Sequence, residues 1–137
     1  MTRVLLDINV VLDVLANREP FADEAAAVMA EVEAGRIDGF LAAHTVTTLH
    51  FLLTRHIGKG QARKILTDLL HLVRLVPVDE DRIRHALAAK WPDFEDAVQA
   101  ACAEKAEADY LVTRNKRDFR RSAVKPVTPA ELLAVLP

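Results

Sequence analysis

Cysteine is nearly missing from this chain of 137 residues. Its one thiol, Cys102, lies among alanines, so neither a disulfide framework nor a cysteine zinc site can be built within one chain. Aromatic residues make up 5%, and the four glycines and six prolines are scattered; this excludes low-complexity and fibrous classes. No apolar run approaches the roughly 18 residues of a membrane span. The first hydrophobic stretch is interrupted by Asp7, Asn9 and Asp13 and has no small-residue cleavage site. A soluble, unprocessed, cytoplasmic protein without a membrane partner is expected. An excess of one charge is missing too. Eighteen Lys and Arg stand against 20 Asp and Glu, a net charge of −2, which gives no overall attraction for a polyanion.

What the chain has is aliphatic bulk. Hydrophobic residues make up 51%, and a chain of this length buries a sizeable core as one domain, residues 1–137. The hydrophobic pattern predicts short strands at Val4 to Leu6, Asp38 to Ala42, Val73 to Val78 and Tyr110 to Thr113, with a fifth at Lys125 to Val127. Helices are predicted over Ile8 to Ala16, from Glu19-Pro20-Phe21 to about Glu33, and over His44 to Ile57, Lys59 to Leu72, the residues after Asp79 to Ala89, and Phe94 to Glu107. Thr128-Pro129-Ala130-Glu131 reads as a capping box with proline at the first helical position, launching a last helix to Val135. Strands alternating with helices and helix pairs imply an α/β fold: a three-layer α/β/α sandwich around a mostly parallel sheet of four to five strands.

Three separated segments place oxygen ligands where such sheets form clefts. Asp7 ends the first strand, and ligands in open α/β sheets sit beyond the carboxyl ends of strands. Asp93-Phe94-Glu95-Asp96-Ala97 opens a helix with three carboxylates. Thr113-Arg114-Asn115-Lys116-Arg117-Asp118 follows another strand into a polar loop. Each has an ordinary explanation: Asp7 and Asp93 are good N-caps, Asp96 suits a first helical turn, and Asn115 and Asp118 suit a turn. Asp96, however, shares a helical stripe with Ala100, Ala103 and Glu107, so its carboxylate is expected to face protein or a cleft. Carboxylates clustered without cysteine or histidine select hard ions such as Mg²⁺ or Mn²⁺, which polarise phosphoryl oxygens and activate water for attack on a phosphodiester. Arg114, Lys116, Arg117, Arg120 and Arg121 crowd the same loop, and Arg55, His56, Lys59, Arg63 and Lys64 gather at a helix junction. They read either as a basic rim for a polyanion or as solvated surface charge.

The strand aspartate with Asp7-Ile8-Asn9-Val10-Val11-Leu12-Asp13, the Asp-Phe-Glu-Asp-Ala helix start, the run Ala108 to Phe119 and the closing Thr-Pro-Ala-Glu together resemble the PIN domain, over nearly the whole chain. The resemblance implies a Mg²⁺- or Mn²⁺-dependent ribonuclease of the kind that serves as the VapC-like toxin of a toxin–antitoxin pair. It carries the metal-binding roles to Asp7, Asp96 and Asp118 and the family's Thr-x-Asp motif to Thr113-Arg114-Asn115. It also implies an RNA substrate met by Thr113, Arg114, Lys116 and Arg117, an antitoxin partner, and a homodimer for which the Leu-rich helix Ile65 to Leu72 offers a contact, although such a stripe is more often core. The branch resembled is divergent. His50 stands where a helix glutamate is usual, in Thr47-Thr48-Leu49-His50-Phe51, and Asn115 stands where an aspartate is usual; both are expected to line the catalytic site. His50 could ligate Mn²⁺, orient water or bind phosphate, or be a structural histidine bonded to a neighbour. Whether Asp13, Asp93 or Glu95 replaces the missing acid stays open. The alternative function is a non-catalytic RNA- or protein-binding module with a degenerate metal site. A phosphatase using Asp7 as nucleophile is disfavoured by Asn9 two residues on.

Overall fold

The computed structural model describes residues 1–137. Its frame is five parallel strands, β1 (Thr2–Leu6), β2 (Ile37–Ala42), β3 (Arg74–Val76), β4 (Tyr110–Val112) and β5 (Lys125–Val127), in the order β3-β2-β1-β4-β5. Seven helices surround it: α1 (Ile8–Leu15), α2 (Ala22–Glu33), α3 (Ala43–Ile57), α4 (Lys59–Leu69), α5 (Glu80–Ala89), α6 (Phe94–Lys105) and α7 (Pro129–Val135), with a 3₁₀ turn at Lys116–Phe119. The sheet is wholly parallel, where a mostly parallel one was expected.

Strand alternation explains the layers. In β1 the side chains of Val4 and Leu6 enter one core, with Val10, Val28, Leu49, Leu66 and Leu132, while Leu5 enters the other, with Phe40, Ala100, Leu111 and Phe119. All three β1 residues are fully buried, as a central parallel strand covered on both faces requires. Each contributes about 1.5–3 kcal/mol through burial. One helical layer approaches closely because Gly39 of β2 has no side chain: a Cβ there would meet Val32 Cγ2 of α2 at 3.1 Å.

Several boundaries differ from the pattern. α2 begins at Ala22 rather than at Glu19-Pro20. β3 is three residues long, not six, because it pairs only with β2 and leaves Arg74 and Leu75 exposed on the sheet edge. α4 stops at Leu69, so the Leu-rich stretch to Leu72 is not one helix; Leu66 and Leu69 are core, while Leu70 and Leu72 are 41% and 38% exposed. Gly58, with φ of +84°, separates α3 from α4. The capping box forms: Glu131 N donates to Thr128 Oγ1 at 3.1 Å and Thr128 N to Glu131 Oε1 at 2.9 Å.

The chain passes from β1 outward through β2 and β3, then crosses to the other side of β1 for β4 and β5. The sheet therefore reverses its order between β1 and β4, and the crevice of such a fold opens beyond the carboxyl ends of those two strands.

Candidate active site

Asp7 directly follows β1 and Thr113 directly follows β4, on either side of that reversal. Asp7 occupies the N-cap position of α1 with extended backbone, yet its side chain makes no capping bond. Its carboxylate is 5% exposed, and Oδ2 accepts a hydrogen bond from Thr113 Oγ1 at 3.0 Å. The capping explanation thus fails for Asp7. The fully buried Thr113 hydroxyl also accepts from Asn115 N at 3.0 Å, so one side chain links the strand-end acid to the loop. Burial raises the Asp7 carboxyl above the usual range; bonds from Thr113 and the Ile8 backbone, and the charge of Arg114, partly oppose this.

α6 brings the second group. Asp93 is a genuine N-cap, accepting from Asp96 N at 3.0 Å. The half-buried carboxyl of Asp96 is pushed up to about 7, first by desolvation and then by the negative charges of Asp93, Asp7, Asp118 and Glu95. Asp7, Asp96 and Asp118 therefore share one electrostatic neighbourhood, with Asp93 and Glu95 at its margin. Asp118 itself lies exposed on the 3₁₀ turn. Of the predicted stripe, Ala100 and Ala103 are buried, whereas Glu107 lies beyond the helix end, exposed and with φ of +54°.

The basic loop divides by role. Arg114 grips Asp13, Nε to Oδ2 at 3.0 Å and Nη2 to Oδ1 at 3.4 Å, and its guanidinium lies 4.1 Å over the Phe21 ring. Asp13, 2% exposed, also accepts from Arg18 Nε at 2.9 Å. Asp13 is thus occupied by two arginines and is no spare acid for a metal. Lys116 pairs with Glu131 at 2.9 Å. Arg121 donates to the carbonyls of Lys90 and Ala89 at 3.0 and 2.8 Å, closing the end of α5. Arg117 and Arg120 make no ion pair. Asn115 is exposed at the start of the 3₁₀ turn.

On α3 the charge of Glu95 reaches His44. Both ring nitrogens of His44 are buried without a partner, and Glu95 opposes the downward shift that burial imposes on the imidazole. Next to it, Thr45 Oγ1 accepts from Gln99 Nε2 of α6 at 3.4 Å, tying the start of α3 to the middle of α6. At about 100° per residue His50 projects roughly 120° away from His44, on the side of Thr47 and Thr54. The signal for His44 was available: like Asp7, it stands at a helix start just beyond a buried strand.

Could these residues hold a cation? No three His, Cys, Asp or Glu side chains close on one point at metal-ligand spacing. The donor set is nevertheless all oxygen, and desolvation together with repulsion among its acids pushes the Asp96 carboxyl up to about 7. That chemistry fits a hard divalent ion, whose charge would relieve the repulsion. Cys102, buried and with its thiol pushed up to about 11, plays no part. No helix is long and apolar enough to cross a membrane.

A family model described as the PIN domain matches residues 3–117. No curated protein sequence matches the chain. Among solved structures, the chain is similar to FitAcB from Neisseria gonorrhoeae, with a TM-score of 0.65 and 26% identity over 93% of this chain and 98% of that one. It is also similar to a toxin–antitoxin complex from Klebsiella pneumoniae, with a TM-score of 0.70 and 21% identity over 92% and 97% of the two chains. A third is VapBC2 from Rickettsia felis, bound to a DNA fragment from its promoter, with a TM-score of 0.65 and 13% identity over 93% and 98%.

Proposed function

This chain belongs to the PIN-domain family, and on that footing we propose that it is a Mg²⁺- or Mn²⁺-dependent endoribonuclease acting as the toxin of a toxin–antitoxin pair. The observation that carries the reading is the buried, non-capping carboxylate of Asp7 sharing its surroundings with a half-buried Asp96, whose carboxyl is pushed up to about 7 by desolvation and by the acids around it. Carboxylates arranged this way cost stability unless a cation joins them.

Asp7, Asp96 and Asp118 would hold the ion. When bound, it supplies charge neutralisation at the phosphoryl oxygens and an activated water for attack on the phosphodiester. Thr113 fixes the Asp7 carboxylate through its hydroxyl and so sets the direction of the free oxygen. Asn115, tethered to Thr113 Oγ1, presents an amide where the family favours an acid. A neutral donor there leaves the site less negative, which fits weaker metal affinity without loss of the oxygen ligand set. Arg114 braces the loop through Asp13, and Lys116 and Arg117 meet the RNA backbone. His50 keeps its place as a candidate for the site, and His44, six residues earlier on the same helix and reached by the charge of Glu95, joins it.

The relatives whose solved structures are toxin–antitoxin complexes support a partner protein for this chain. The apolar groove of about 420 Å³ between α1, α2 and α4, with Leu15, Met29, Ile65 and Leu72 in its walls, suits such a partner or a second copy. The test is cleavage of a mixed RNA pool with Mg²⁺, Mn²⁺ or chelator, by the protein and by Asp7→Asn. Metal-dependent cleavage lost in the variant supports the nuclease; RNA binding without cleavage under any metal favours the binding module.

A further inference from the structure

Beside the carboxylates, the loop before α6 and the 3₁₀ turn enclose a cavity of about 310 Å³. Nearly all of its lining is charged. Asp93, Asp96 and Asp118 stand on it together with Arg117 and Arg120, yet neither arginine forms an ion pair with any of them. Its one large apolar wall is Trp91, the only tryptophan of the chain. Trp91 is half-buried and packs at 6.1 Å, with ring planes 68° apart, against the wholly buried Phe119. Arg121 is held by two carbonyls at the end of α5, which stiffens the far rim.

Each component has a bland use alone, but their combination matches one ligand chemistry. An aromatic face backed by a buried ring stacks planar groups, and unpaired guanidinium groups beside it bind phosphate. Carboxylates in the same lining accept from base N–H groups or hold a cation. The volume lies at the small end of ligand sites, which suits one nucleotide rather than a duplex.

We infer that this cavity is a nucleotide subsite: Trp91 stacks a base of single-stranded RNA, Arg117 and Arg120 hold its phosphate, and the adjoining phosphodiester is thereby set against Asp96 and Asp118. The inference rests on the RNA-directed reading of the same site and adds to it a position where the chain contacts one base of its substrate. It makes Trp91 a positioning residue.

The test exploits the sole tryptophan. Fluorescence of the wild-type protein is titrated with 5′-AMP, with adenosine, with inorganic phosphate, and, in chelator, with a short single-stranded RNA. Saturable quenching by 5′-AMP and by RNA is expected. Inorganic phosphate alone should leave the emission unchanged while competing with 5′-AMP, and adenosine should bind more weakly than 5′-AMP. In anisotropy with labelled RNA, Trp91→Ala and Arg120→Ala should each weaken binding about fivefold or more, with Trp91→Phe close to wild type. Thermal melts of all three variants separate lost stacking from lost folding.

Unchanged emission at saturating RNA overturns the proposal, as does RNA binding by a folded Trp91→Ala within about twofold of wild type. The two readings fail separately. Metal-dependent cleavage with no Trp91 response leaves the nuclease and removes the subsite; quenching by 5′-AMP with no cleavage leaves the subsite and removes the nuclease.

Discussion

Thr113 Oγ1 donates a 3.0 Å hydrogen bond to Asp7 Oδ2 across the point where the sheet reverses its strand order. Two residues 106 apart in sequence are joined in this way, and both are buried. Replacing Thr113 by Val keeps the shape and removes the donor, leaving a buried carboxylate with one partner fewer. Thr113→Val should cost about 1–3 kcal/mol in urea unfolding and reduce metal-dependent cleavage, while Thr113→Ser should restore both. A Val variant as stable as wild type would show that the bond is idle.

Asp13 is a structural acid. Its buried carboxylate neutralises Arg18 and Arg114 together, so Asp13→Ala strands two cations at the base of the loop. A loss of about 3 kcal/mol is expected, at the low end for a broken buried pair because both arginines keep some solvent. The measurement is denaturant unfolding; cleavage per folded molecule should fall less than for Asp7→Asn. Loss of metal binding with unchanged stability would instead make Asp13 a ligand.

Asp96 sets a pH dependence with a definite sign. Its carboxyl lies at about 7 in the folded protein against an ordinary 3.8, so the folded state holds this proton more tightly than the unfolded one. The stability it contributes is complete below about pH 4 and is lost as pH rises through about 7. Without metal, Tm should therefore fall between about pH 4 and about pH 7, and Asp96→Asn should flatten that slope. The rise in Tm given by Mn²⁺ should grow over the same range, because a metal displaces the proton. A metal-induced rise that shrinks as pH goes from about 4 to about 7 would refute the assignment.

Arg117 is exposed and unpaired, whereas Lys116 is engaged by Glu131. Arg117→Ala should leave Tm unchanged and weaken RNA binding, with the slope of log affinity against log salt shallower by about 0.7, as for one phosphate contact on a single strand. Lys116→Ala should alter stability by less than about 1 kcal/mol, since its partner is solvent-exposed. An unchanged salt slope in Arg117→Ala would remove it from the RNA path.

The strands and helices were readable because the apolar periodicity is strong and the ends carry local chemistry: Gly58, Asp79 and the Thr128–Glu131 box each mark a boundary that the structure contains. Errors fell where tertiary packing decides. β3 is short because it is an edge, and α4 ends at Leu69 although leucines continue the pattern. At the site, Asp7 and the α6 acids could be placed near one crevice by strand-end logic. Asp7 and Asp13 looked alike in sequence, yet one bonds a hydroxyl and the other two arginines. His50 holds the motif position, whereas His44 stands at the helix start, and the tie between Thr45 and Gln99 shows which end of α3 meets α6. Single residues do not encode such partners.

The most direct measurement is the chemistry of the ends left on RNA, made with Mn²⁺ and with chelator. If Asp7 and Asp96 bind an ion that activates water, cleavage should occur only with metal, leave no 2′,3′-cyclic phosphate, and vanish in Asp7→Asn and Asp96→Asn at unchanged fold. Cyclic phosphate ends, formed equally in chelator and in both variants, would contradict a metal-dependent hydrolytic site.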